Sequence, residues 1–562
     1  MRANSQADLS GQPLGRPQMP ALPLIGLAVA IALSSMGCQH AKDALASVPY
    51  VGEKIGTSIP PTGDLPPPPA ARTWPVPEQD VLNQQARGYG LARMPELESY
   101  LNGLYAKIKA ASGAAEWPGS VYILATPSQE AYATAAGNIY LSPSWIESAE
   151  SEDEIVALLS HEFGHIYLHY HQIAGAVQGT DQAAQIAAVA LAIAKSKTLG
   201  NAWTPVDTLV VGYVAGRDLS VGDYGRTEEI SADSFSLNVS LKLGYSYDSG
   251  IKAFLERIAS WEESNEKRRQ AQKEQIRIAI RQQAKENSLK NNQGKGWAND
   301  LLAPILSELD SGLAGSFHDL NSSLSEGIGS MTAKHPDINA RIERQAKAVD
   351  KLPGALVSKD PVVKPLLAAR TLPVTAAILK NYRLASEALQ DVGAPIAVDK
   401  VKLATSGPTA THALPLIALY KVQSAQASAP NRTPNVPRTD PGKVLELNFA
   451  SPPDRAWAAY VERALQLQSV GDVATAKKVI DSGMSNFRAA PEAWPQAIQF
   501  YGQTQGWQIA KNMAGQCVKE HPAMTNPCNE AARSPAEIAE AKRQSEEKSK
   551  KMVDRMFQKW QK

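Results

Sequence analysis

The stretch Ser151-Glu152-Asp153-Glu154-Ile155-Val156-Ala157-Leu158-Leu159-Ser160-His161-Glu162-Phe163-Gly164-His165 decides how this chain is read. Ser151 followed three residues later by Glu154 is a capping box, and Ile155, Leu158, Leu159, Phe163 and Ile166 recur at helical spacing. The spacing therefore predicts a helix that starts at the box and carries His161-Glu162-Phe163-Gly164-His165. Residues four apart on a helix lie one above the other, so His161 and His165 can offer two imidazole nitrogens to a single ion. Glu162 sits beside the first of them, placed to take a proton from water that a zinc ion acidifies. The plainer alternative is a helix that happens to carry two histidines.

A catalytic zinc takes a third protein ligand and keeps one position open. His171 has the spacing of the longer pattern HExxHxxGxxH, but Leu168 occupies the glycine position at which the chain must turn back sharply. His169 continues the same helical face two turns from His161, about 12 Å along the axis, and cannot share its ion without unwinding the helix. Glu229 is the better third ligand. It stands in Arg226-Thr227-Glu228-Glu229-Ile230-Ser231-Ala232-Asp233, where Ile230, Leu237 and Leu241 form an apolar stripe and Gly244 supplies a stop. Glu229 and Asp233 share one face of that second helix. The pair predicts a His2Glu sphere completed by Glu229, with Ala232 allowing close helix contact and Asp233 receiving the outer N–H of a ligand histidine.

Taken together these residues resemble the HtpX and CAAX-prenyl-protease type of zinc metallopeptidases, which carry HExxH on one helix and ExxAD on a later one. Glu229-Ile230-Ser231-Ala232-Asp233 matches the second motif, and Arg226 stands where many members have arginine. Val121-Tyr122-Ile123-Leu124 and Gly137-Asn138-Ile139-Tyr140-Leu141 look like the family's strand pair, the second being the expected edge for an extended substrate. His335-Pro336 followed by Arg341-Ile342 looks like its HP-x4-RI segment. The resemblance covers about residues 81 to 350. It departs at Glu130, where many members have asparagine, and at Ser231, where glutamate is common. It implies an α+β zincin-type (gluzincin) peptidase domain, mostly helical with a small sheet, holding one zinc ion per chain through His161, His165 and Glu229. Glu162 would be the general base. The segment Gly327-Ile328-Gly329-Ser330-Met331-Thr332 before His335 reads as a loop, so His335 either visits the zinc or reacting carbonyl or simply packs. The oxyanion donor stays open among Arg226, His335 and several tyrosines.

The remainder of the chain sets the context. Its 562 residues, 43% hydrophobic, are ample for two or three domains, and a net charge of +1 gives no sign of a nucleic-acid surface. Leu22 to Leu33 is too short an apolar run to span a bilayer and reads as the core of a secretory signal over residues 1–37. Ser35-Met36-Gly37-Cys38 resembles a bacterial lipoprotein cleavage box, which predicts a lipidated Cys38, ordinary cleavage nearby being the rival. If the resemblance holds, Gln39 favours the periplasmic face of the outer membrane of a Gram-negative cell over the inner membrane; a soluble periplasmic form is the alternative. Residues 38–80, with Pro60-Pro61 and Pro66-Pro67-Pro68-Pro69, read as a semi-rigid tether ahead of the peptidase domain at 81–350.

Within that domain a helix is expected from Pro95, with Leu97, Leu101, Leu104, Tyr105 and Ile108 on its packed side. Gln182 to Ala194 reads as a buried helix or a lid, and the charged stretch 255–290 as a solvated helix or a gating arm. Residues 351–450 read as a helical or linker region. From 451 to 530 the pattern becomes helical pairs. Ala476 and Ile480 are followed 34 residues later by Ala510 and Ala514, the period of tetratricopeptide (TPR) repeats, an irregular bundle being the alternative. Cys517 and Cys528 are expected to form a disulfide once exported. The tail, 531–562, opens with the capping box Ser534-Pro535-Ala536-Glu537 and continues as a charged amphipathic helix. The function expected is an exported, lipid-anchored zinc endopeptidase acting on protein or peptide substrates; by resemblance to BepA-like periplasmic members these are misfolded envelope proteins. The alternative is an assembly or quality-control adaptor that works mainly through its helical repeats. Oligomeric state has no signal in the sequence.

Overall fold

In the computed structural model the described residues are 59–68, 74–168 except Pro127, 226–264, 338–427 and 440–538, with a few adjoining single positions. The expectations for the signal segment, Cys38, His169, His171, 182–194, most of 255–290, His335 and the tail after 538 lie outside them.

The axis of the molecule is the helix quoted above, α4 (Glu152–Tyr167), of which every residue is buried. Before it come α1 (Pro77–Gln85), α2 (Pro95–Ala111), strands β1 (Val121–Ile123), β2 (Ala131–Ala133) and β3 (Ile139–Leu141), and the short α3 (Pro143–Ser148). Ser151 caps α4 by accepting from the Glu154 N–H at 3.2 Å. The return half of the box differs from expectation: the Glu154 carboxylate accepts from the Glu150 N–H at 3.0 Å and from Arg257. The acidic first turn suits the positive end of the helix dipole, but carboxylates buried this deeply also need direct partners. Glu152 accepts from the hydroxyls of Tyr100 and Tyr245, both at 2.7 Å. Asp153 accepts from Ser249 Oγ at 2.9 Å and from the Val362 N–H at 2.8 Å. Together the three acids pin the start of α4 to several distant segments.

The sheet corrects one expectation. Its strand order is β1-β3-β2, with β1 parallel and β2 antiparallel to β3, so Gly137 to Leu141 feeds the central strand and β2 forms the edge. The reason is a tight reversal at Gly137, φ +87°, closed by Gly137 N–H to Thr134 O at 3.0 Å. It folds Ala131 to Ala133, too small and weakly patterned to read as a strand, back onto β3. Asp80 of α1 fastens the sheet by accepting from Tyr140, Asn138 and Thr134 at 2.7–2.8 Å. Leu97, Leu101, Leu104, Tyr105 and Ile108 of α2 are all buried, as the periodicity predicts, and belong to the same core as α4.

After the first 57 residues the described chain is one compact unit. Helix α5 (Arg226–Lys242) lies against α4 and is followed by a π-helical turn, Asp248–Lys252, and helix to residue 264. Next come α6 (Ile338–Val349), α7 (Lys364–Thr371), α8 (Pro373–Gln390), α9 (Pro395–Ala404) and α10 (Ala413–Ala427). Of the two readings for 351–450, the helical one holds over 364–427. Leu366, Ile378, Tyr382, Val401 and Leu414 join the apolar core of α2 and α4, and Arg370 donates to the carbonyls of Ile146, Glu147 and Ala149 at the end of α3. Part of the expected tether is likewise built in. Ile59 is buried, Tyr167 of α4 donates to Pro66 O at 2.8 Å, and Asn238 of α5 donates to Pro60 O at 2.9 Å. No helix among the described residues is long and apolar enough to cross a membrane.

The C-terminal helices form sequential pairs, α11 (Trp457–Ser469) with α12 (Val473–Asn486) and α13 (Trp494–Gln505) with α14 (Trp507–Glu520), followed by α15 (Thr525–Ala531). Ala476, Ile480, Ala510 and Ala514 are all buried between them, and the Asp472 side chain caps α12. A disulfide joins Cys517 of α14 to Cys528 of α15. Ser534 and Glu537 make both halves of the last capping box.

Gly483 and Gly515 provide a matched test of this packing. A methyl at Gly483 meets the rings of Trp457 and Tyr460, whereas one at Gly515 meets nothing within 4 Å. Gly483→Ala is expected to cost about 1–3 kcal/mol through overpacking. Gly515→Ala is expected to be neutral or to gain up to about 1 kcal/mol in helix propensity. The shift in urea midpoint of each variant measures this.

Candidate metal centre

Two helices bring the site together. His161 and His165, one turn apart on α4, turn their Nε2 atoms toward each other at 3.2 Å. Glu229 comes from α5, with Oε2 3.5 Å from His161 Nε2 and Oε1 3.6 Å from His165 Nε2. A tetrahedral ion bound at about 2.1 Å keeps its ligand atoms about 3.4 Å apart; each imidazole faces its own Glu229 oxygen near that spacing, and one donor atom from each of the three residues lies within 4.8 Å of the others. The close approach that permits it lies at Gly164, where an added methyl would stand 3.2 Å from both Ala232 Cα and Phe235 Cδ1. Small residues on both helices, Gly164 and Ala232, let the backbones meet.

The surroundings are dry. His161, His165, Glu162, Glu229 and Asp233 are all buried, and Phe254 lies 5.3 Å from the His161 ring, centroid to centroid. His161 Nδ1 is 3.0 Å from Asp233 Oδ1, a separation at which the carboxylate favours the tautomer protonated on Nδ1, with the Nε2 lone pair toward the centre. Burial lowers the His161 pKa, but Asp233, Glu229 and Glu162 outweigh it and leave the value raised. Burial also works against ionised Asp233; the charge and hydrogen bonds of Arg341, aided by His161, nonetheless hold its carboxyl down at about 2. Glu162 goes the other way. Burial pushes its carboxyl up to about 7, with His161 and Arg341 opposing and Glu229 adding to the rise.

Two buried oxygens show that the residues fit a cation. Glu229 Oε1 and Glu162 Oε2 have no hydrogen-bond partner among the described residues, a costly arrangement for buried carboxylate oxygens. A divalent ion held by His161, His165 and Glu229 would satisfy Glu229 Oε1 and would meet a further carboxylate, Glu162, on the residue next to His161. His161, His165 and Glu229 form the one cluster of three His, Cys, Asp or Glu side chains, among the described residues, whose donor atoms suit a single ion.

Residues 92–349 match the model of Peptidase family M48. The M48 match runs from just before α2 to the last residue of α6, so it encloses both ligand helices, the sheet and Arg341. It agrees with the HtpX and CAAX-prenyl-protease resemblance and supports a metal-dependent peptidase. No curated protein sequence matches the chain.

The structure thus gathers His161, Glu162, His165, Glu229 and Asp233 into one centre. Arg226 is the first residue of α5, and its side chain is outside the description. Sequence reasoning gave no role to Arg341, which here contacts both Asp233 and Glu229. The only signal was its place in the Arg341-Ile342 pair, because a contact across 108 positions leaves no local pattern. Gly164→Val is expected to push α4 off Ala232 and weaken metal binding at least tenfold, whereas Gly164→Ala needs a shift of only a few tenths of an ångström and retains the metal. Competition with a chromophoric chelator reads both affinities.

Proposed function

We propose that this chain is a zinc metalloendopeptidase in which His161, His165 and Glu229 hold one ion per chain and Glu162 manages the proton of the attacking water. The observation that carries this reading is the convergence of two Nε2 atoms and one carboxylate at ligand spacing, with an adjacent buried carboxylate. The M48 match supports it. Zinc, when bound, supplies Lewis acidity, which polarises a carbonyl and lowers the pKa of water to about 7.

The protein's own groups do the rest. Asp233 keeps His161 in the tautomer whose Nε2 faces the centre. Glu162 Oε2, buried and without a hydrogen-bond partner among the described residues, accepts a proton from the attacking water and returns it to the departing amine nitrogen. A carboxyl poised near neutrality can do both. The buried walls exclude bulk water and so strengthen every charge interaction inside.

The wider reading is that the chain is exported, anchored through a lipidated Cys38 at the outer membrane of a Gram-negative cell, and acts on misfolded envelope proteins. The sequential pairs α11–α12 and α13–α14, with buried small residues at a 34-residue offset, support a TPR-like surface that binds those proteins. The same pairs favour a second role, that of an assembly adaptor. Glu162→Gln separates the two. It is expected to retain zinc and fold while kcat falls by about 10²–10⁴-fold, and to fail to rescue the defect of a deletion strain. Full rescue by Glu162→Gln would instead establish the adaptor role. Glu229→Ala, or a chelator, is expected to remove zinc and activity together; stoichiometric zinc retained by Glu229→Ala would refute the ligand set.

A further inference from the structure

Helix α6 buries Ile338, Arg341, Gln345 and Val349 and exposes Glu343 and Lys347. Arg341 therefore occupies a core position of an amphipathic helix, where an apolar side chain is the ordinary choice. Its guanidinium makes three short contacts. Nε and Nη2 donate to Asp233 Oδ2 and Oδ1 at 2.8 and 2.7 Å, a two-pronged pair, and Nη1 lies 2.9 Å from Glu229 Oε2. Asp233 Oδ1 in turn faces His161 Nδ1. One planar group thus touches a ligand carboxylate directly and a ligand imidazole through Asp233.

We propose that Arg341 is the positioning residue of the metal centre: its fork sets Glu229 and Asp233 in the arrangement that receives one divalent ion, and the centre is complete only when α6 is docked. This rests on the zinc reading above. Arg341 holds Glu229 through Oε2, which also faces His161 Nε2 at 3.5 Å, while Oε1 faces His165 Nε2 with no hydrogen-bond partner among the described residues. Charge points the same way. The guanidinium sets one fixed positive charge against the two buried carboxylates Glu229 and Asp233. An ammonium cannot substitute, because it is a point charge without the planar fork that holds two carboxylates in fixed orientation. Stability alone does not call for the network as a whole, since buried ion-pair networks are commonly replaced by apolar residues without loss, although removing the arginine alone leaves two buried carboxylates unmatched and is itself destabilising.

The test uses the full chain with Arg341→Lys, Arg341→Ala and, as a control on the exposed face of α6, Glu343→Gln. Zinc affinity is measured by chelator competition, folding by circular dichroism and thermal unfolding of chelator-treated protein. Methylguanidine is added to Arg341→Ala as a chemical rescue. Arg341→Lys and Arg341→Ala are expected to fold yet bind zinc about 10–100-fold more weakly, the range for outer partners of metal ligands. Methylguanidine is expected to restore part of the affinity of Arg341→Ala, and Glu343→Gln to match the parent. Zinc binding by both folded variants at or above the parent affinity overturns the proposal. So does unfolding of both variants in chelator, which would make Arg341 a stability residue only. A parent chain that takes up no zinc in the same titration defeats the zinc reading itself, and this proposal with it.

Discussion

The contact on which the rest depends is the approach of α4 to α5 at Gly164 and Ala232. Ligands on two separate helices can share an ion only if the backbones come closer than ordinary side chains allow, and these two small residues remove the obstacle. Phe163, Tyr167 and Phe235 close the packing around that point, with ring centroids 4.9 to 6.1 Å apart. The result is a polar centre enclosed by aromatic and aliphatic side chains, where charge interactions are little screened and each must be matched.

Matching explains why so many acids on these helices are buried. Glu152, Asp153 and Glu154 would be solvated on a surface helix, but here tyrosine hydroxyls, a serine, backbone N–H groups and Arg257 meet them. Their partners come from α2, the turn after α5, the segment before α7 and the helix ending at 264. The N-terminal turn of α4 is thus a junction at which distant parts of the chain are tied to the ligand-bearing helix.

How much of this was legible in the sequence depends on range. His161, Glu162 and His165 were readable because helical spacing alone brings them together, and Glu229 with Asp233 because they share one face of a second patterned helix. The packed side of α2 was plain from its leucines. What local pattern could not show were contacts between remote positions: Arg341 on Asp233, Val362 on Asp153, and the return of Ala131–Ala133 as the edge strand. The tether expectation rested on proline content, which describes chain stiffness and not whether an extended segment finds a surface. Residues 351–450 read as helical or linker, and the pattern could not tell which, because the apolar residues of 364–427 pack into a core shared with the preceding helices.

That extended segment also belongs to the unit that carries the candidate metal centre. Residues 59–68 run across both ligand helices like a strap, held by the Tyr167 hydroxyl on one and the Asn238 amide on the other. Starting a shortened protein at residue 92, where the family match begins, would strip away this strap together with α1, uncover the outer side of the helix pair and leave two side-chain donors facing solvent. The folded unit that carries the candidate metal centre therefore reaches upstream at least to Ile59.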